Sequence, residues 1–482
     1  MATVTRVSGR RRHETRVDLA WLSALTVALR LPAFLAERHL TFDDGVYGAS
    51  AVAMRAGGQP FRDVFSSQGP LFLPLVFLAD LLGVRTVDAP RLVAVAAGVV
   101  AVGATYGAGR TLTDRRGALL AAGIVAGTTT MLWITGPIAA DGAALAAATV
   151  TVMLALRWRH HVTTPRAVWL GVGVGATISV KALLAPVILP VALVLLAARR
   201  VPPVLAGGLA AVAFHLALWL PWGPANVWDQ SYGYHLEVTT DRTPGRNLGK
   251  VLSTLGDRDA MVVAAVLAMI GAIALGRRSH RPDAEARPTS PDTMLLAWLG
   301  GTILVLLTES PLWRPHVAQL IPALVLLAAR HRPPARALVL AAILVVPYQV
   351  VHAWEVLHPA PYSAADERIR AILRDLPDGA RAMSDDPGIV WRAGRLTPPN
   401  LVDASILRLQ TGDLTAASLS AAARADDVCA VVILSAVRWG SLADLPSRLA
   451  ADGYVLTLDE GAGRKVFVRS RCLPGPPLTN AT

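Results

Sequence analysis

Charge is what this chain has least of. Only 17% of its 482 residues are Asp, Glu, Lys or Arg, against about 25% in soluble globular proteins, too few to cover a surface facing water. That scarcity excludes a cytosolic enzyme, and 53% hydrophobic residues exclude a disordered chain, which lacks the apolar surface to fold. Cysteine is nearly absent. Cys429 and Cys472 are the only two, which excludes a disulfide scaffold and a zinc site; the two could pair, but nothing in the sequence demands it. A basic stripe interleaved with aromatics is also missing, and with it any case for nucleic acid. What is present is a mean hydropathy of +0.47, with the apolar residues gathered into runs instead of alternating with polar ones. Runs of that kind read as a polytopic α-helical membrane protein.

The 46 basic and 34 acidic residues leave a net charge of +12, and the arginines sit in short clusters between the runs. Runs suitable for spanning lie at about 19–36, 91–109, 117–134, 140–156, 167–180, 182–198, 203–221, 259–276, 293–308, 316–330 and 335–352, about eleven in all. The stretch 70–83 opens with Pro70, contains Pro74 and Asp80, and is too short for the ~20 residues a span needs. With 70–83 kept as a juxtamembrane or re-entrant helix, every dense arginine cluster falls on one side: Arg10, Arg11, Arg12 and Arg16; Arg110, Arg115 and Arg116; Arg157, Arg159 and Arg166; Arg277, Arg278, Arg281 and Arg287; Arg330, Arg332 and Arg336. The positive-inside rule makes that side the cytoplasm. The polar segment 1–18 is then a cytoplasmic tail, 19–361 the membrane domain, and the first apolar run, which has no small-residue cleavage site, a retained span. Charge returns after about residue 362, where helix-like 364–375 and 441–451 mix with strand-like 428–434, 454–459 and 465–469. These predict a small α/β domain at 362–482, outside the membrane on the far side. Usage rich in Ala, Arg and Val fits a high-GC bacterium, and so a bacterial plasma membrane.

The outward segments hold the polar residues that a simple anchor would not need. The first, ERHLTFDDGVYGASAVAMRAGGQPFRDVFSSQ at 37–68, places Asp43 and Asp44 side by side just beyond the first span. Adjacent carboxylates repel, which raises the pKa of at least one and suits a general base; equally, the pair could cap a helix running from Gly45 to Arg55. The second, 133–142, carries Trp133, Gly136, Pro137 and Asp141, the acid being a ligand or a helix cap. Lys181 lies between two close apolar runs, where a lone charge meets an anion or snorkels to the surface. Glu309 to His316, ESPLWRPH, brings an acid, Arg314 and His316 together; the two bases suit a phosphate or anchor the interface beside Trp313. The long segment 222–258 mixes Trp228, Tyr232, Tyr234 and His235 with Asp241, Arg242, Arg246 and Lys250, as an interface belt or a sugar-lined cleft does. Inside an apolar run, the glycines of GVGVG (171–175) signal close helix packing.

FDDGVY followed by GGQPFRDVFSSQGPLFLPL, then ADLLGVRTVDAPRLVAVAAGVVAVGATYGAGRTLTDRRGALLAAGIVAG and GPIAADGAALAAATVTVMLALR, resembles the GT-C superfamily of polyprenyl-phosphate-sugar-dependent glycosyltransferases. Within it the resemblance is to the protein O-mannosyltransferase and lipid A aminoarabinose transferase branch, over roughly residues 19–330. It implies that Asp43 is the catalytic base, that Asp44 and Tyr47 shape its surroundings, and that Asp141 is a second-loop acid on the substrate. It also implies that Lys181 contacts the lipid phosphate and that His316, in RPHVAQLIPAL, lies at the same cleft with Arg314. Many relatives carry a charge just before the following Pro-Leu turn, where this chain has Gln68, so Gln68 is expected on the substrate as a neutral contact. The stretch PPNLVDASILRLQTGDLT (398–415) resembles tails of bacterial members.

The implied reaction moves a sugar from a polyprenyl-phosphate donor to a hydroxyl of a lipid, glycan or protein acceptor, with no cofactor, a divalent metal remaining open. Displacement with a single base implies inversion at the anomeric carbon. A transporter or flippase of a lipid-linked sugar would share the spans and outer cations, but would place acids and broken helices near the membrane midplane; here the acids cluster at outer span ends. A non-catalytic assembly protein would instead depend on 362–482 and not on Asp43.

Overall fold

The computed structural model describes residues 2–237, 243–274, 289–331, 335–425, 427–461 and 463–473. Asp241, Arg242, Arg277, Arg278, Arg281, Arg287 and Arg332 lie outside these; Arg10, Arg11 and Arg336 are described only as helical backbone. The described residues divide into two compact units, one within Met1–Phe34, Val93–Leu218 and Thr240–Pro359, the other within Leu35–Leu92, Trp219–Thr239 and Ala360–Thr482.

The described residues of the first unit form helices joined by turns and short connections. Among the described residues five helices are long and apolar enough to cross a bilayer: Arg12–Phe34, Ala89–Leu112, Ala140–Trp158, Val201–Trp222 and Pro291–Thr308. A sixth results if Arg115–Gly127 and Thr129–Thr135, bent by 62°, count as one. Fewer than the expected eleven therefore qualify among the described residues, and at two of the runs the chain carries a local break. At 182–198 a 3-10 turn, Ala182–Val187, containing Pro186, precedes Ile188–Ala197; at 316–330 another, Arg314–Leu320, precedes Ile321–Arg330. Each break divides an apolar run into pieces too short to span as single helices. The bend at Thr128 is fastened by Arg30, whose guanidinium donates to Ala126 O at 3.3 Å and to Thr135 Oγ1 at 2.7 Å. The GVGVG glycines pack as close helix contacts require: a Cβ on Gly171 would lie 2.1 Å from the Gly207 carbonyl of Val201–Ala217, and one on Gly173 would strike Thr151 of Ala140–Trp158.

In the second unit, 70–83 forms an eleven-residue helix, Phe72–Leu82, about 16 Å long at 1.5 Å per residue and so about half the ~30 Å hydrocarbon thickness. Its Asp80 is buried and paired with Arg55. The C-terminal part is a four-stranded sheet of β1 (Arg381–Ser384), β2 (Val428–Ile433), β3 (Tyr454–Asp459) and β4 (Lys465–Arg469), in the order β1-β2-β4-β3. β1 and β2 run parallel, the other pairs antiparallel. VCAVVI of β2 is apolar at nearly every position because both of its faces are covered: Val431 and Ile433 join a core with Leu419, Trp439 and Phe467, whereas Ala430 and Val432 join one with Ile369, Leu373 and Val468. A disulfide joins Cys429 on β2 to Cys472 just beyond β4.

Candidate active site

The expected site residues fall into two clusters, one in each unit. In the second unit Thr41 begins the helix Phe42–Arg55, its hydroxyl accepting from the Asp44 amide at 3.1 Å. The cap is therefore Thr41 and not the acidic pair, which occupies the first turn, where the helix dipole favours negative charge. The two acids are unlike. Asp43 is exposed. Asp44 is fully buried and accepts from Leu40 N at 2.9 Å and from both edges of the Arg91 guanidinium, Nε at 3.2 Å and Nη2 at 2.6 Å. Such a fork is the strong form of the carboxylate–arginine pair. Arg91 also donates to Ala36 O at 2.8 Å and to Arg38 O, so it compensates Asp44 and ties down the approach to the helix. The repulsion expected between Asp43 and Asp44 is thus offset by a cation that sequence reading overlooked. A signal existed: on the positive-inside reading, Arg91 stands at the outer end of its run, where arginine has no topological role.

Two glycines set the seat of this helix. A Cβ on Gly45 would lie 2.6 Å from Gly388 Cα, and one on Gly48 would lie 2.3 Å from the Trp391 ring. The short helix Pro387–Arg392 therefore lies flush against FDDGVYG. Arg91 and Arg392 both lie over the Trp391 indole, at 5.6 and 4.1 Å from a ring centroid, and Arg392 reaches Asp88 at 2.7 Å. Burial and the nearby Arg91 lower the Arg392 pKa. Beside them His39 lies between Asp386 at 3.1 Å and Tyr362 at 2.7 Å. Burial works against the Asp386 charge, but the His39 hydrogen bond and the His39 and Arg438 charges hold its pKa below the usual carboxylate range; burial pushes Tyr362 up to about 12.

Tyr47 is buried, its ring edge-on to Phe72 at 4.7 Å. Gln68 is half-buried, and its carbonyl, not its amide, accepts from Ser231 at 2.6 Å. The first loop is held by the stretch PPNLVDAS: Phe65 N donates to Pro399 O at 3.2 Å, Ser67 to Asp403 at 2.9 Å, and Arg408 lies 3.8 Å over the Phe65 ring. Tyr234 and His235 serve the same clamp, through Ser405 and the Ser67 carbonyl, while Trp219 and Trp228 each stack on Tyr232.

The cluster in the first unit forms where a helix breaks. Thr164–Val180 ends at Lys181, which is extended (φ −155°, ψ 118°) before the 3-10 turn that follows. Its Nζ donates to Asp141 Oδ2 at 2.7 Å and lies 3.1 Å from His316 Nε2. Asp141 sits in the first turn of Ala140–Trp158, after Ala139 at the cap position. His316 presents Nδ1 to Glu309 Oε1 at 2.6 Å. Asp141, Lys181 and His316 are thus brought together, with Glu309 as a fourth member. Arg314 is exposed two residues from His316 and makes no hydrogen bond or ion pair among the described residues. From the same segments, Lys250 is spent on the Leu312 carbonyl at 2.7 Å and Trp133 lies under Arg258. Among the described residues no three His, Cys, Asp or Glu side chains are grouped to share a metal ion.

No family profile matches the chain, and no curated protein matches it in sequence. Solved structures do. ArnT from Cupriavidus metallidurans bound to undecaprenyl phosphate aligns with a TM-score of 0.64 at 14% identity, over 95% of this chain and 99% of that one. The oligosaccharyltransferase AglB from Archaeoglobus fulgidus, in complex with an inhibitory peptide and a dolichol-phosphate, aligns with a TM-score of 0.56 at 12% identity, over 97% of this chain and 75% of that one. An alignment of nearly the whole chain at so low an identity is a likeness of architecture: this chain shares the fold of those two structures.

Proposed function

We propose that the chain is a glycosyltransferase that moves a sugar from a polyprenyl-phosphate donor to a hydroxyl of a cell-envelope acceptor, at the outer face of a bacterial plasma membrane. The observation that carries the reading is the unequal acidic pair: an exposed Asp43 beside an Asp44 locked on Arg91, within a fold shared with proteins solved with undecaprenyl phosphate and dolichol-phosphate. In this reading Asp43 accepts the proton of the acceptor hydroxyl as its oxygen bonds to the anomeric carbon. The bond from that carbon to the phosphate oxygen breaks, and the polyprenyl phosphate leaves with the electron pair. One displacement inverts the anomeric centre. The leaving group already carries charge, so it needs cations more than a general acid, and Lys181, Arg314 and His316 are assigned to the donor phosphate. Asp141 is assigned to the substrate. Gln68 is proposed there through its amide, and Tyr47 with it, shaping the surroundings of Asp43. An outward-facing C-terminal domain, 362–482, is supported by the Cys429–Cys472 bond, since disulfides persist in oxidising compartments.

The test is transfer from a panel of radiolabelled polyprenyl-phosphate sugars, hexosyl and pentosyl, by purified wild type and Asp43→Asn. Loss of a general base costs about 10²–10⁴-fold in rate, and the variant should still bind the lipid donor. Translocation of a lipid-linked sugar that survives Asp43→Asn, with no transfer from any donor, would establish the flippase instead.

A further inference from the structure

Buried polar groups in native proteins are almost always hydrogen-bonded, so those left unpaired point to what they await. The cluster in the first unit holds several. Gln319 is only 2% exposed, yet neither Oε1 nor Nε2 of its amide has a hydrogen-bond partner. Asp141 Oδ1, with His316 Nε2 3.7 Å away, accepts no hydrogen bond, and neither does Glu309 Oε2. Gln319 belongs with these groups by geometry. It lies three residues beyond His316 on the 3-10 turn Arg314–Leu320, and side chains three apart on such a turn eclipse on one face. Ideal eclipsing therefore puts Gln319 on the face that His316 turns towards Asp141 and Lys181.

His316 Nδ1 is close to Glu309 Oε1, at 2.6 Å, but makes no hydrogen bond; the other unpaired atoms are three acceptors and one donor. A phosphate anion has no hydrogen to give a carboxylate oxygen, so it leaves all three acceptors unmet. A hydroxyl both gives and accepts a hydrogen bond, and a pair of neighbouring hydroxyls matches a carboxamide at both ends. We infer that Gln319, with Asp141 Oδ1 and Glu309 Oε2, is a specificity subsite for adjacent hydroxyls of the donor's sugar, next to the cations assigned to its phosphate. The inference rests on the proposed function for the identity of the sugar's carrier.

The experiment uses the full chain in nanodiscs and measures binding, which does not require turnover. Probes are undecaprenyl phosphate and the same lipid phosphate bearing mannose, arabinose or glucose. Wild type should bind at least one sugar-bearing lipid about tenfold more tightly than the bare lipid phosphate, as one or two net hydrogen bonds supply. Gln319→Leu, similar in volume, should abolish that margin and leave affinity for undecaprenyl phosphate within about twofold, as expected when a neutral amide and not a cation is removed. Because it removes an unpaired buried amide, Gln319→Leu should also raise the thermal midpoint of the ligand-free protein; a structural glutamine would lower it. Gln319→Met serves as a second variant. The inference is overturned if no sugar-bearing lipid binds more tightly than the bare one, if both variants weaken undecaprenyl phosphate as much as its glycosylated forms, or if both lower the midpoint and keep the sugar margin. Sugar selectivity lost with Gln319 in a protein that performs no transfer would sink the enzyme and keep the subsite.

Discussion

Two aspartates adjacent in sequence have opposite fates here, and the difference is one arginine. Asp44 and Arg91 are both fully buried and bonded as a fork. Removing one member of such a pair leaves an uncompensated buried charge, at a cost of about 3–5 kcal/mol. Arg91→Met is therefore expected to destabilise the protein by that order, and Asp44→Leu in the same background to restore part of it, because the orphaned charge is gone. Thermal unfolding in detergent of the two singles and the double reads the coupling; additivity would show that the pair is not a unit. Resemblance named Asp43 the base, but the residues themselves presented Asp43 and Asp44 as equals, since nothing in FDDGVY identifies the acid that will meet a cation 47 residues away. The grouping of Asp141, Lys181 and His316 was anticipated only through resemblance, and Gln319 had no signal, because an amide inside an apolar run is unremarkable until its neighbours are known.

At the scale of elements, the helix carrying the acids owes its seat to glycine. Gly45 and Gly48 face Pro387–Arg392 with no room for a side chain, and Gly48 lies under a Trp391 that is itself buried. Gly48→Ala forces the ring or the helix to move, which in a close-packed interior costs about 1–3 kcal/mol. The expected outcome is lower stability together with lower transfer activity, and partial recovery of both when Trp391→Leu is added. A clash that is real makes the two changes non-additive, so simple additivity in urea or thermal titrations would refute this seat. The glycines were visible as letters, and GVGVG was rightly read as packing, because that contact is made within an apolar run. The FDDGVYG contact is made with a segment over three hundred residues away, which no local pattern announces. Breaks in helices were the other blind spot: 182–198 and 316–330 look continuous by hydropathy, but prolines and 3-10 turns divide them.

At the scale of the molecule, the second compact unit draws on three separated stretches of chain, and its sheet is tied by Cys429 and Cys472, 43 residues apart. Closing a loop of that length restricts the unfolded chain by about 4 kcal/mol on the loop-entropy scale. Cys429→Ala with Cys472→Ala should therefore lower the unfolding free energy of this unit by an amount of that order, measured by denaturant titration of the β-sheet signal. Thiol labelling of whole cells under non-reducing conditions should find both cysteines blocked in the wild type. Free, labelled thiols would place the domain in a reducing compartment and refute the outward-facing assignment.

By itself the sequence determined that this chain lives in a membrane, because apolar runs with so little charge have no other solvent. It also determined the strands Val428–Ile433, Tyr454–Asp459 and Lys465–Arg469, whose short apolar runs and turn residues are local properties. Tertiary structure alone decided which acid is exposed and which is neutralised, that Lys181 faces Asp141 and His316, and that Gln319 is buried without a partner. Those are pairings between distant segments, and their energies depend on burial and on distances of a few ångströms that only packing sets.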